Sequence, residues 1–178
     1  MNRIITLLLK FISLFYTNDL LRMKLYHLKL NDLRKNGVSV GENSLVIDCK
    51  FSSSSKGDSF TIGKNSTCTG VTFLGHDASP TLFIKDLVSE DIHPCLPFSR
   101  KSYRSPIVVG DNVFIGYNTT ILPGVNICSN VIIAAGSIVT KSITYSGVYA
   151  GNPAKKISEL DCFIAKYKKK ISDNKNLF

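Results

Sequence analysis

Three histidines, His27, His76 and His93, are the side chains of this sequence best suited to exchanging a proton near neutral pH. Any reaction that needs a hydroxyl deprotonated would draw on one of them as its general base. His27 sits in a stretch that reads as helix, away from any motif, and is assigned a structural role. His76 stands in the string Gly75-His76-Asp77-Ala78-Ser79, where a regular repeat gives way to a loop, and is the first candidate base. His93, followed by Pro94, Pro97 and Arg100, is the fallback candidate, or else a loop residue contacting the substrate. Asp77, Asp86, Glu90 and Asp91 are the nearby carboxylates that could orient an imidazole. A zinc centre of the kind that needs two histidines five apart plus a third is excluded, because the chain has no such pair. The five cysteines lack C-x-x-C spacing, so no metal is expected and a reducing compartment is the simplest setting.

The scaffold that positions these residues is written as a ladder. Val109, Ile115, Ile121, Ile127, Ile133 and Val139 stand six apart. Three steps into each repeat stands Asn112, Asn118, Gly124, Asn130 or Gly136, residue types that tolerate a left-handed backbone. One step further stands Val113, Thr119, Val125, Val131 or Ser137, small or β-branched. A period of six fits neither an α-helix nor a plain strand. It fits a short strand followed by a corner, three to a coil, as in a parallel β-helix of hexapeptides. The pattern starts at Val40-Gly41-Glu42-Asn43-Ser44, is read as breaking over 46–57, and returns at Ile62 to run through Cys68 and Leu74. Leu74 and Val109 are not separated by a multiple of six, which predicts an extruded loop at about 76–106. A loop that long inside a compact domain is usually functional.

The 178 residues suggest one domain with appendages. The segments are 1–37, helical; 38–157, the β-helix; and 158–178, a C-terminal helix with a basic tail. The formal charge of +9 favours anionic partners. No nucleic-acid-reading motif accompanies it, so nucleic acid is not an expected partner. Residues 4–16 are apolar but too short to span a bilayer, which takes about 20. They predict an amphipathic helix packed on the assembly, with peripheral membrane contact through residues 1–16 as the alternative. The expected location is the cytoplasm, or the inner face of the cell membrane.

The run from Val108 to Val125 (VVGDNVFIGYNTTILPGV), then Ala134 to Lys141 (AAGSIVTK), then Gly151-Asn152-Pro153-Ala154-Lys155 resembles the hexapeptide-repeat acyltransferase superfamily. The branch it is most similar to is the sugar O-acetyltransferases of bacterial polysaccharide gene clusters. The resemblance covers about 38–157. It implies an all-β, left-handed parallel β-helix with N-terminal and C-terminal α-helices, an exception to right-handed crossovers. It also implies acetyl-CoA as co-substrate, a sugar or glycan acceptor, and a homotrimer whose sites lie between neighbouring subunits. The family's catalytic histidine falls on His76. Its cofactor-binding positions fall on Tyr117, whose backbone amide would meet the thioester oxyanion, and on Ala135, Ser137, Lys141 and Lys155. Lys156 is a further lysine beside them.

The expected activity is O-acetylation of a sugar hydroxyl in capsule, O-antigen or other surface polysaccharide synthesis. The alternatives are a small-molecule O-acetyltransferase (serine, maltose or galactoside, antibiotic) and a non-catalytic β-helix scaffold. About 35 residues before the repeats are too few for the helical domain of serine acetyltransferases.

Overall fold

Every corner residue of the ladder takes the backbone that its type allows. Asn112, Asn118, Gly124, Asn130 and Gly136 have φ of 55°, 59°, 80°, 63° and 71°. The residues that follow them turn inward, so Val113, Thr119, Val125, Val131 and Ser137 are at most 2% exposed. Each hexapeptide thus contributes two inward side chains and one corner, and the corners also bond to one another. Asn65 donates to Asn112 Oδ1 at 2.7 Å, and Asn112 donates to Asn130 Oδ1 at 3.1 Å.

The computed structural model describes residues 19–177. The predicted apolar segment 1–16 lies outside the described residues. Helix α1 (Asp19–Lys35) leads into a three-sided parallel β-helix. One side stacks β1 (Val38–Val40), β4 (Phe60–Ile62), β9 (Ile107–Val109) and β12 (Asn126–Ile127). The second stacks β2 (Leu45–Ile47), β5 (Thr67–Thr69), β10 (Val113–Ile115), β13 (Val131–Ile133) and β15 (Gly147–Gly151). The third stacks β3 (Lys50–Phe51), β6 (Thr72–Phe73), β11 (Thr120–Ile121) and β14 (Ile138–Val139). Within 74–106, β7 (His76–Asp77) and β8 (Tyr103–Arg104) pair antiparallel, so the loop leaves and returns as a ribbon. The last strand, β16 (Ala154–Ser158), folds back antiparallel on β15, and helix α2 (Leu160–Asp173) follows.

The predicted break at 46–57 is corrected to 52–59. Val46 and Phe51 are both part of the first coil, and Lys50 and Phe51 pair with Thr72 and Phe73. Five residues rather than six separate Val46 from Phe51, because the left-handed corner at Asp48 (φ 51°) comes one residue early. Gly70 (φ 59°) repeats the shortening in the second coil. The inward residue there is therefore Phe73, fully buried, and not Leu74. Phe51 stacks on Phe73 at 4.8 Å, and Phe60 meets both edge-on.

A β-helix ends in a strand with unpaired backbone groups. At the N-terminal end, α1 supplies side chains in place of a strand. Tyr26 donates its hydroxyl to Ser44 O at 2.7 Å and accepts Val46 N–H at 3.0 Å. Lys29 donates to Val46 O at 3.0 Å.

Candidate active site

Both insertions leave the coil at the same corner, between the third and first sides, one coil apart. Residues 52–59 come from the first coil and 74–106 from the second, so the two segments lie against each other. Their junction holds a hydrogen-bonded chain. Asp58 Oδ2 lies 2.7 Å from His76 Nδ1, and Ser52 donates its hydroxyl to the same oxygen at 2.6 Å. Ser52 Oγ in turn accepts Gly75 N–H at 2.7 Å. The Asp58 side chain is 0% exposed and that of His76 is 26% exposed. Gly75 has no room for a side chain, since a Cβ would sit 2.8 Å from Asp58 Cβ and 2.9 Å from Phe60 Cζ. The aromatic stack thus forms the floor on which the dyad rests.

Burial is the largest influence on Asp58 and by itself raises its pKa. Hydrogen bonds from Ser52 and His76, the nearby Ser54 hydroxyl and the charge of His76 more than offset it, so the group titrates below the ordinary carboxylate range. An ionised Asp58 accepts a hydrogen bond from Nδ1–H. That fixes the His76 tautomer and leaves Nε2 as a free acceptor.

Among the described residues, Asp77, Asp86, Glu90 and Asp91, the carboxylates that could have oriented His76, form no hydrogen bond with it. Asp77 turns back to Ser79, accepting its N–H at 2.8 Å and its hydroxyl at 3.0 Å. The other three are exposed on the loop. Asp58 was missed because it lies at the end of a segment read as irregular. Counting the register that sets Val38 beside Phe60 would have placed residue 58 at the corner from which the next coil's loop departs.

A cavity of about 580 Å³ opens beside His76, lined by Ser53, Ser54 and Ser55 on one insertion and by Arg100 and Arg104 on the other. His93 is exposed, with Nδ1 2.9 Å from Cys95 Sγ, and its neighbours Pro94 and Cys95 line the cavity while its own ring does not.

Apart from Lys141, the predicted cofactor residues gather elsewhere. Tyr117, Ala135 and the Gly151 turn that carries Lys155 occupy successive coils at the corner between the second and third sides. Gly136 N–H donates to Tyr117 O, and the N–H groups of Tyr117 and Ala135 donate to no protein group among the described residues. The Tyr117 ring lies over Gly70, where any Cβ would collide with it. Lys141 is exposed at the His76 corner, two coils on. Lys155 forms no ion pair among the described residues, whereas Lys156 is bound to Glu159 at 2.7 Å. Ser137 lies on the inner side of this corner. It shares the inward column of Val131, is fully buried, donates to Ala134 O at 2.6 Å and accepts Gly151 N–H at 3.2 Å. Its side chain holds the corner from inside and does not reach the outer surface.

A family model for the hexapeptide repeat of succinyl-transferase matches residues 106–141. Protein CapG of Staphylococcus aureus is 36% identical over 167 residues, 86% of this chain and 88% of that protein. The structure of a maltose O-acetyltransferase from Clostridium difficile 630 is similar with a TM-score of 0.51 and 33% identity, over 69% of this chain and 59% of that one. A galactoside acetyltransferase solved in complex with coenzyme A gives a TM-score of 0.52 and 27% identity, over 89% of this chain and 80% of that one. Other relatives are longer: the chain spans 36% of a putative acetyltransferase of Saccharomyces cerevisiae and 64% of the galactoside O-acetyltransferase of Escherichia coli. Three stacked parallel sides, the closing Gly151-Asn152-Pro153 turn and these likenesses agree, and the chain is a left-handed β-helix belonging to the hexapeptide-repeat acyltransferase superfamily.

Proposed function

We propose that this protein transfers the acetyl group of acetyl-CoA to a hydroxyl of a sugar or glycan, as a step in surface polysaccharide synthesis. His76 is the general base and Asp58 its orienting carboxylate. The observation that carries the reading is the buried Asp58–His76 contact of 2.7 Å at the edge of a polar cavity. The acetyltransferase names of the galactoside and maltose relatives support the sugar acceptor, and the coenzyme A complex supports the donor.

His76 Nε2 takes the acceptor's hydroxyl proton as that oxygen attacks the thioester carbonyl, and returns it to the departing sulfur. Asp58 stabilises the imidazolium in between. Acetyl-CoA supplies the activated acyl group when bound. The corner with Tyr117 and Ala135 suits it because the side chains there are small or folded aside and two amides are unused. Lys155 and Lys141 are the phosphate-side cations.

His76 and Tyr117 lie at different corners of one chain, with the third side between them. A single site needs both, which supports a homotrimer in which the His76 corner of one subunit faces the Tyr117 corner of the next. We place the enzyme in the cytoplasm or at the inner face of the cell membrane.

The test is acetyl-CoA turnover on a panel of bacterial sugars with His76→Ala and His93→Ala in parallel. His76→Ala should lose about 10²–10⁴ in kcat, and His93→Ala should stay within about threefold of wild type. Normal turnover by His76→Ala removes the mechanism.

A further inference from the structure

The cavity beside His76 has a charge pattern that the transfer chemistry does not require. Two guanidinium groups, Arg100 and Arg104, line it together with serines, and no carboxylate does. Asp58, the nearest acid, is shut behind His76 with its side chain 0% exposed. No ion pair among the described residues engages either arginine. Lys101, between them in sequence, is occupied instead, donating to Asp86 O at 3.2 Å.

Arg104 is the more telling of the two. It is half-buried and is the direct cross-strand neighbour of His76 in the β7–β8 ribbon. It also borders a second cavity of about 120 Å³ with Gly57 and Gly75. Directly opposed residues of an antiparallel pair hold their Cβ atoms about 5 Å apart on one face, so Arg104 starts beside His76, and both residues line the same cavity. A half-buried guanidinium with no partner is costly, and its planar fork suits carboxylate or phosphate.

We propose that Arg104, assisted by Arg100, makes this site select an anionic acceptor: a sugar that carries a carboxylate or a phosphate close to the hydroxyl that is acetylated. The inference rests on His76 as the base, and it deepens that reading by naming the acceptor's charge. Neutral sugars leave the two cations unpaired in the cavity and are the poorer acceptors.

The experiment compares three acceptors with the full chain: a hexuronic-acid oligosaccharide, a nucleoside-diphosphate hexose and the neutral oligosaccharide matched to the first. Acetyl transfer is read as kcat/KM, and binding is read independently by calorimetry without acetyl-CoA. At least one anionic acceptor should exceed the neutral one by about ten- to a hundredfold, the scale of a charge-assisted pair. Whichever of the two anions prevails identifies carboxylate or phosphate as the group read. Arg104→Gln should bring the anionic-to-neutral ratio close to one, mostly through KM, and Arg104→Lys should restore part of it. Equal binding of all three acceptors overturns the proposal, as does a ratio that Arg104→Gln leaves unchanged. His76→Ala separates the two readings: if it keeps turnover while the anion preference persists in binding, the base is wrong and the acceptor charge stands.

Discussion

Asp58→Asn changes one atom of the dyad and tests its logic. The carboxylate accepts two hydrogen bonds on Oδ2, from His76 Nδ1 at 2.7 Å and from Ser52 at 2.6 Å. An amide of the same shape keeps both only with its oxygen in that position, and then without the charge. With its NH2 toward His76, it forces Nδ1 to accept, which moves the ring proton to Nε2 and disables the base. With its oxygen in the Oδ2 position both hydrogen bonds survive, and the NH2 takes the place of Oδ1, which is buried without a partner among the described residues. What is lost is the negative charge that stabilises the imidazolium. The lower bound on the effect is the lost charge-assisted hydrogen bond to the imidazolium, about 1.5–3 kcal/mol. At about 1.4 kcal/mol per decade that is roughly 10- to 150-fold in kcat. The upper bound is the whole contribution of the base, about 10²–10⁴.

The assay is release of the CoA thiol at saturating acetyl-CoA, with acceptor varied. The loss should fall on kcat more than on the acceptor's KM, and His76→Ala/Asp58→Asn should be no slower than His76→Ala alone, since the two residues act as a unit. Stability carries a second signature. The folded pKa of Asp58 lies below the usual carboxylate value. Its charge therefore stabilises the fold at pH above about 3.9, and the contribution is lost as pH falls through the depressed folded value. The unfolding free energy of wild type over Asp58→Asn should shrink in acid below that point. A kcat within threefold of wild type, or losses that multiply with those of His76→Ala, refutes the orienting role.

Three further outcomes follow from named contacts. Gly75→Ala forces a Cβ against Asp58 Cβ at 2.8 Å and Phe60 Cζ at 2.9 Å. It should cost about 1–3 kcal/mol in denaturant titration and slow turnover together with it. Lys155→Gln should raise the KM for acetyl-CoA about tenfold with little change in kcat, the pattern of a lost phosphate contact. Lys156→Gln, which breaks only the exposed pair with Glu159, should leave that KM unchanged. Tyr26→Phe removes the hydroxyl that both donates to Ser44 O and accepts Val46 N–H. Thermal unfolding should show a loss of about 1–3 kcal/mol, and amide exchange at Val46 should quicken.

The three-sided stack was legible where one rule governs many residues. From Val109 to Val139 each inward position and each left-handed corner repeats without exception, so five corners and their buried followers could be read from residue type alone. The first two coils were harder to read, because a corner at Asp48 or Gly70 that comes one residue early shifts everything after it. A reader holding to six then takes Leu74 for Phe73 and loses Phe51 to a supposed loop. His76 was legible because it stands where the repeat stops. Asp58 was not, since its partnership depends on two insertions leaving the same corner of adjacent coils, a relation in coil register that leaves no local motif. Ser137 shows the converse. Its position in the repeat already said inward, and the family resemblance drew attention away from that. The sequence period therefore locates side chains that answer to the core. Asp58 and Arg104, which answer to the cavity, are found only after the coils have been counted, at the corner where the count is interrupted twice in succession and where they consequently meet His76.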